Sequence, residues 1–164
     1  MSNVMVHKIR EANTSHPFLH QMADLSDRIR ARAFDLFEKR GRADGNDLGD
    51  WLQAEKEVFR VPAVELSEKD GEFQLQFALP GFDAKDVSVA ALSDRVIVEG
   101  ESAHRHNHTN GTVHVCEFTE RRAFRQIPLP KAVDVEHVSA TLDKGLLQVR
   151  APIAEQEKSK RAAA

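Results

Sequence analysis

The sequence predicts a mainly β fold: an antiparallel β-sandwich preceded by a helical hairpin. Three observations carry this prediction. Across residues 62–152 apolar side chains alternate with a period of two, and turn residues divide them into short runs. Across residues 22–59 the apolar period is instead that of a helix. Each element follows from its own residues.

Met22, Leu25, Ile29, Ala33, Leu36 and Phe37 recur at three- and four-residue intervals, as do Leu48, Trp51, Leu52, Val58 and Phe59. Each set lines one face of a helix. Gly41 after Lys39-Arg40 predicts the end of the first helix, with cations beside its free carbonyls. Residues 42–46 read as a loop. Asp47 is expected to open the second helix, its carboxylate accepting from unpaired backbone N–H groups. Two short helices alone are marginal in water, so their stripe requires a partner surface.

Further along, Phe73, Leu75, Phe77 and Leu79 share one face while Gln74, Gln76 and Ala78 take the other. The same alternation marks Val87/Val89/Ala91, Val96/Val98, Val113/Val115, Val135, Val138/Ala140/Leu142 and Leu147/Val149/Ala151. Turn chemistry separates them at Asp70-Gly71, Pro80-Gly81, Ser93-Asp94, Asn110-Gly111, Pro128-Leu129-Pro130 and Lys144-Gly145. Short strands without intervening helices pack as two facing sheets. The Cys…Trp…Cys pattern of immunoglobulin domains is missing, which disfavours that reading. Three regions result: helices in residues 1–60, the sandwich in 61–152 and a polar, disordered tail in 153–164.

Residues 1–60 carry ten basic and ten acidic side chains, and residues 61–152 ten and fourteen. No basic stripe interleaved with aromatics appears, so nucleic acid is not an expected partner. No apolar run approaches the roughly 18–20 residues of a membrane span. The first eight residues lack signal-peptide chemistry and the chain has one Cys; a cytoplasmic location is expected. No G-x-S-x-G, phosphate-loop, H-E-x-x-H or dinucleotide motif occurs. Neither an enzyme nor a cofactor is therefore expected, and the missing phosphate loop leaves no expected site for ATP.

Ala140, Gly145 and Leu147 are spaced as in the A-x-x-x-x-G-x-L signature of the α-crystallin domain, the core of the small heat shock proteins. Upstream, residues 62–68, 77–82, 96–101 and 124–130 resemble further landmarks of that family, in order and at its spacing. Five collinear matches are far more specific than one. Residues 32–41 followed by 47–55 also resemble a short bacterial module of unknown function. The resemblance implies an immunoglobulin-like antiparallel sandwich that forms a homodimer, and often a larger oligomer. It further implies an ATP-independent holdase of the stress response, which binds partly unfolded proteins. A non-chaperone interaction or scaffold module on the same sandwich is the competing reading.

The resemblance places Leu146 and Leu147 at the edge of a hydrophobic groove, which in relatives receives an I-x-I/V motif from a neighbour's tail. Val87, Val89, Val138, Ala140 and Leu142 are candidate lining residues, although inward core positions would show the same pattern. This tail departs from the family: Ile153 has Glu155 at i+2, so larger assembly must draw on the N-terminal helices. Arg125 stands where the family carries an arginine in an inter-subunit ion pair, and Glu117 is its natural partner. Physically, an arginine on an otherwise apolar strand needs a carboxylate or carries an uncompensated charge; Arg121 and Arg122 are expected to be solvated. In bacterial relatives the strand after the long loop, here Val113 to Glu117, crosses to complete the partner's sheet.

His104, His106, His108 and His114 invite three readings: a solvated loop, a pH-sensitive loop or a metal site. No metal is assigned, since nothing supplies an orienting second ring of partners. Cys116 reads as a buried or interface thiol. The client-binding surface is assigned to Phe18, Leu19, Met22, Leu25, Ile29, Phe34, Leu36, Phe37, Trp51 and Phe59, the apolar side chains of the helical region.

Overall fold

The computed structural model describes residues 1–10, 17–103, 111–116 and 121–155, leaving aside the side chains of residues 17–19 and 21. Its elements run β1 (Ser2–Asn3), β2 (Met5–Lys8), α1 (Pro17–Lys39), α2 (Asp47–Val58), β3 (Val64–Lys69), β4 (Glu72–Ala78), β5 (Val87–Ala91), β6 (Arg95–Ser102), β7 (Arg121–Pro128), β8 (Ser139–Asp143) and β9 (Leu146–Pro152). Two sheets face each other, with strand orders β1-β8-β9-β4-β3 and β2-β5-β6-β7. Between them lies one apolar layer in which Phe73, Leu75, Phe77, Leu79, Val89, Val96, Val98, Leu147 and Val149 are almost wholly buried. These are the alternating positions of the sequence pattern, because successive side chains of a strand point to opposite faces.

The hairpin β3–β4 turns at Asp70-Gly71 and β8–β9 at Lys144-Gly145, each with two consecutive positive φ angles. That geometry matches the twist of the flanking strands. At the first helix, Gly41 has φ +87° and ends α1 as expected. Arg40 then reaches across to Asp50 of α2 (Nη2–Oδ2 2.6 Å), and Asp50 is 6% exposed. Arg32 Nε donates to Glu57 at 2.5 Å, a second tie between the helices.

Several expectations need correction. Asn46, not Asp47, occupies the cap position of α2, and no side chain caps that end. Val135 lies in a 3₁₀ turn, Val135–His137, rather than a strand. Residues 111–116 form no strand in the single chain. Ile153 is not part of a loose tail: it is 5% exposed, bridges to Val133 and donates its N–H to the Gly71 carbonyl at 2.9 Å. Residues 156–164 lie outside the described residues.

The largest departure concerns residues 2–9, which precede the helices yet belong to the sandwich. β1 pairs antiparallel with β8 (Ser2 opposite Leu142), and β2 pairs parallel with β5 (Val6 opposite Val89). The boundary at residue 60 therefore divides helices from sandwich only after this strand pair is set aside.

Candidate functional site

Strands β5 and β8 belong to different sheets, each second from the edge, and carry most of the residues expected to line a groove. Val87, Val89, Val138, Ala140, Leu142 and Leu147 are all at most 5% exposed, whereas Leu146 is 37% exposed. On this side of the chain residues 2–9 pair with both strands, β1 with β8 and β2 with β5. Val4 donates its N–H to the Ala140 carbonyl at 3.0 Å and is 6% exposed within the core, with Val6 packed beside it. Ile9 donates to the Ala91 carbonyl at 2.9 Å and packs on Ala90 and Ile97 on the outer face. Both sheet edges thus gain a backbone partner from one segment. Val4 and Val6 alternate with polar or exposed neighbours, a short period-two run that marks a strand.

The same outer face of the second sheet carries the helical hairpin. The Phe59 ring meets the Phe124 ring edge-on, with centroids 6.1 Å apart, and Arg60 bridges to Ala123 on the outer edge of β7. Ile29, Ala54 and Phe59 form a buried cluster joined by Leu25, Ala33, Leu36, Trp51 and Val58. Much of the assigned client surface is consequently covered: Ile29 is 6% and Phe59 8% exposed. Met22 and Phe37 are half-buried. Phe34 remains 58% exposed, and the side chains of Phe18 and Leu19 lie outside the described ones. A cleft of about 520 Å³ runs along Leu52, Glu55, Lys56, Phe59, Arg60 and Val61, beside the open side chains of Leu52 and Val61.

Beneath the hairpin sits a carboxylate that the sequence pattern did not single out. Glu99 of β6 is half-buried beside Phe59, Leu25 and Asp24, and its Oε2 finds no hydrogen-bond partner among the described residues. Loss of solvent raises its pKa above the ordinary glutamate value; Glu101 pushes in the same direction and Arg122 opposes both. Arg122 is committed to Glu101 at 2.8 Å and its side chain is 14% exposed, so it is not solvated as expected. Arg121 also departs from that expectation, lying over the Gly81 backbone.

Arg125 takes the core-facing side of β7 between Ala123 and Ile127, and its Nη1 donates to the Pro62 carbonyl at 3.1 Å. It therefore ties the sandwich to the link from α2. Glu117, its expected partner, lies outside the described residues. Val113 and Val115 are 49% and 79% exposed. His104, His106 and His108 also lie outside the described residues, while His114 is exposed. Cys116 is exposed, not buried. Among the described residues no group of three or more His, Cys, Asp or Glu is placed to hold a metal ion. No helix among them is long and apolar enough to cross a membrane.

Comparison with known proteins accords with this architecture. Residues 24–59 match a family described only as of unknown function, which coincides with the helical hairpin. The small heat shock protein C4 of Rickettsia felis is 28% identical over 100 residues, covering 61% of each chain. Spore protein SP21 of Stigmatella aurantiaca is 32% identical over 92 residues, covering 56% of this chain and 54% of that one. The chain thus spans about three fifths or less of the length of these two relatives. The 16.9 kDa class I heat shock protein 1 of Triticum aestivum is 29% identical over 154 residues, 92% of this chain and 91% of its own. Among solved structures, heat shock protein 16.0 from Schizosaccharomyces pombe superposes with a TM-score of 0.49 at 25% identity, covering 59% of this chain and 69% of that one. The model of the Hsp20/alpha crystallin family matches residues 65–163, from the first strand after the helices through the Ala140–Gly145–Leu147 hairpin and beyond; the chain belongs to that family.

Proposed function

We propose that this protein is an ATP-independent holdase that binds partly unfolded proteins and keeps them from aggregating. The observation that carries the reading is the family match across residues 65–163, which takes in the sandwich strands that follow the helices. Binding exposed apolar segments lowers the free concentration of aggregation-prone chains by mass action, without any step that consumes nucleotide. The client surface on this reading is the helical hairpin, entered from the exposed Phe34 and from the cleft beside Leu52 and Val61. Undocking of Phe59 from Phe124 would add the stored face containing Ile29 and Trp51. The sandwich serves as a cytoplasmic homodimer, with Val113 and Val115 supplying a strand to the partner's sheet and Arg125 with Glu117 near the interface. The exposure of both valines in the single chain supports that role.

Light scattering of an unrelated client heated with up to equimolar protein tests the proposal. Suppressed scattering without nucleotide is expected. Unchanged scattering at several-fold excess would point instead to a scaffold module, and suppression only with ATP would overturn the mechanism.

A further inference from the structure

The helical hairpin closes over one ionisable side chain of the second sheet. Val96 and Val98 of β6 face the core, so Glu99 faces outward with its register partners, Ser88 of β5 and Phe124 of β7. α1 brings Asp24 and Leu25 against it, and the residue that ends α2 brings the Phe59 ring; the space left among them is about 50 Å³. The Oε2 atom of Glu99 is buried there and has no hydrogen-bond partner among the described residues. Of the charged groups around it, Asp24 pairs with Arg28 at 3.0 Å, and Glu101 of β6 pairs with Arg122 of β7 at 2.8 Å. Lys85 and Asp86, in the turn Ala84–Asp86, line an open cleft on the other side of Glu99. An ionised Oε2 has thus lost water without gaining a hydrogen bond, a cost that exists only while the hairpin is docked.

The hairpin is tied together separately from the sheet, through Arg40 to Asp50 at 2.6 Å and Arg32 to Glu57 at 2.5 Å. It meets β7 through the contact of Phe59 with Phe124 and through Arg60. The Arg60 N–H donates to the Arg122 carbonyl at 2.8 Å, and the Phe124 N–H donates to the Arg60 carbonyl at 3.0 Å. β7 is the edge strand of its sheet, so this link, and not β6, supplies the partner of the Phe124 amide.

We propose that Glu99 is a release element for the hairpin: its ionised carboxylate disfavours docking and its protonated form favours it, so the hairpin leaves the second sheet more readily as pH rises while the sandwich stays folded. Docked Glu99 holds its proton more tightly than an exposed glutamate, because burial and Glu101 outweigh Arg122. Docking is therefore fully favoured below the ordinary glutamate pKa, weakens as pH climbs to the raised value, and is level above it. Two conformations then differ by one local opening, which uncovers Ile29, Phe59 and the Phe124 face together. The inference concerns docking alone and holds whether or not the protein binds clients.

Hydrogen exchange of the full chain, followed by NMR from below the ordinary glutamate pKa to neutral pH, tests it. The Arg60 and Phe124 amides report docking, and amides of the inner strands β4 and β9 report unfolding of the sandwich. Protection at the first pair, corrected for intrinsic exchange, is expected to fall by up to about tenfold per pH unit within the titration window, while β4 and β9 stay protected. Glu99→Gln keeps the shape and removes the charge, and should retain the acidic-pH protection throughout. Other titrating groups are common to both proteins, so the difference between the two profiles belongs to Glu99. Glu101→Gln, at a more exposed position, removes a like charge and should shrink the fall. Superposable profiles for wild type and Glu99→Gln overturn the proposal, as does a fall in Glu101→Gln as large as the wild type's. Loss of protection in β4 and β9 together with Arg60 and Phe124 overturns it too, since the opening would then be global. No client enters the measurement, so failure here is distinct from failure as a holdase.

Discussion

At Gly145 the backbone turns with φ +79°, and a Cβ there would stand 3.1 Å from the Pro80 Cα. Two landmarks of the family therefore touch, since the Leu79 N–H also donates to the Gly145 carbonyl at 2.7 Å. Gly145→Ala should cost about 1–2 kcal/mol from the left-handed backbone alone. Crowding on Pro80 adds to that loss, which a lower urea midpoint at unchanged slope would register. Arg125→Gly removes a charged donor to the Pro62 carbonyl, with an expected loss of about 1.5–3 kcal/mol in urea unfolding. If the same arginine also serves the dimer, the dissociation constant measured by sedimentation rises with it. The turn requirement at Gly145 was legible, because turn chemistry is local. The approach to Pro80 was not, since it joins segments distant in sequence.

Elements show the same division between local and distant causes. The end of α1 follows from the glycine stop, and strands β4, β5, β6, β8 and β9 follow from alternation, whereas β3, with only Val64 less than exposed, shows no alternating pattern. The docking of the hairpin on the second sheet through Phe59 and Phe124 does not follow in this way, because either ring would read as an ordinary apolar position. That docking creates the raised pKa of Glu99. The native state there holds a proton more tightly than the unfolded chain, so this contribution favours folding at low pH and is lost as pH rises through the raised value. Asp50 acts in the opposite sense. Its hydrogen bonds from Arg40 hold its pKa below the usual 3.8, and the stability they contribute is lost as pH falls through that lowered value. Glu99→Gln should therefore raise stability at neutral pH by about 1 kcal/mol and flatten the slope on the alkaline side. Thermal melts across pH would show an unchanged slope if Glu99 were as well solvated as an ordinary surface glutamate.

For the whole molecule, the two-sheet architecture and the core list were legible, but the closure of the sandwich was not. Its strands β1 and β2 lie ahead of the helices in sequence, and the short alternation at Val4 and Val6 does not say which distant sheet edges they join. Removal of residues 1–60 consequently takes away more than a helical appendage. The fragment loses Val4 and Ile9 from buried positions, about 3–5 kcal/mol together, and bares both sheet edges. It should remain a β protein by circular dichroism but melt earlier and self-associate. Truncation of residues 154–164, by contrast, should leave the mass distribution by light scattering unchanged, provided Ile153 is kept. The crossing at Val4 also has a kinetic corollary. The Val4 amide is held by one sheet and the Ile9 amide by the other, yet both belong to a single short strip of backbone. Hydrogen exchange at these two amides should then proceed at a common opening free energy, below that of the central strands. The two sheets would lose their outer hydrogen bonds in the same event.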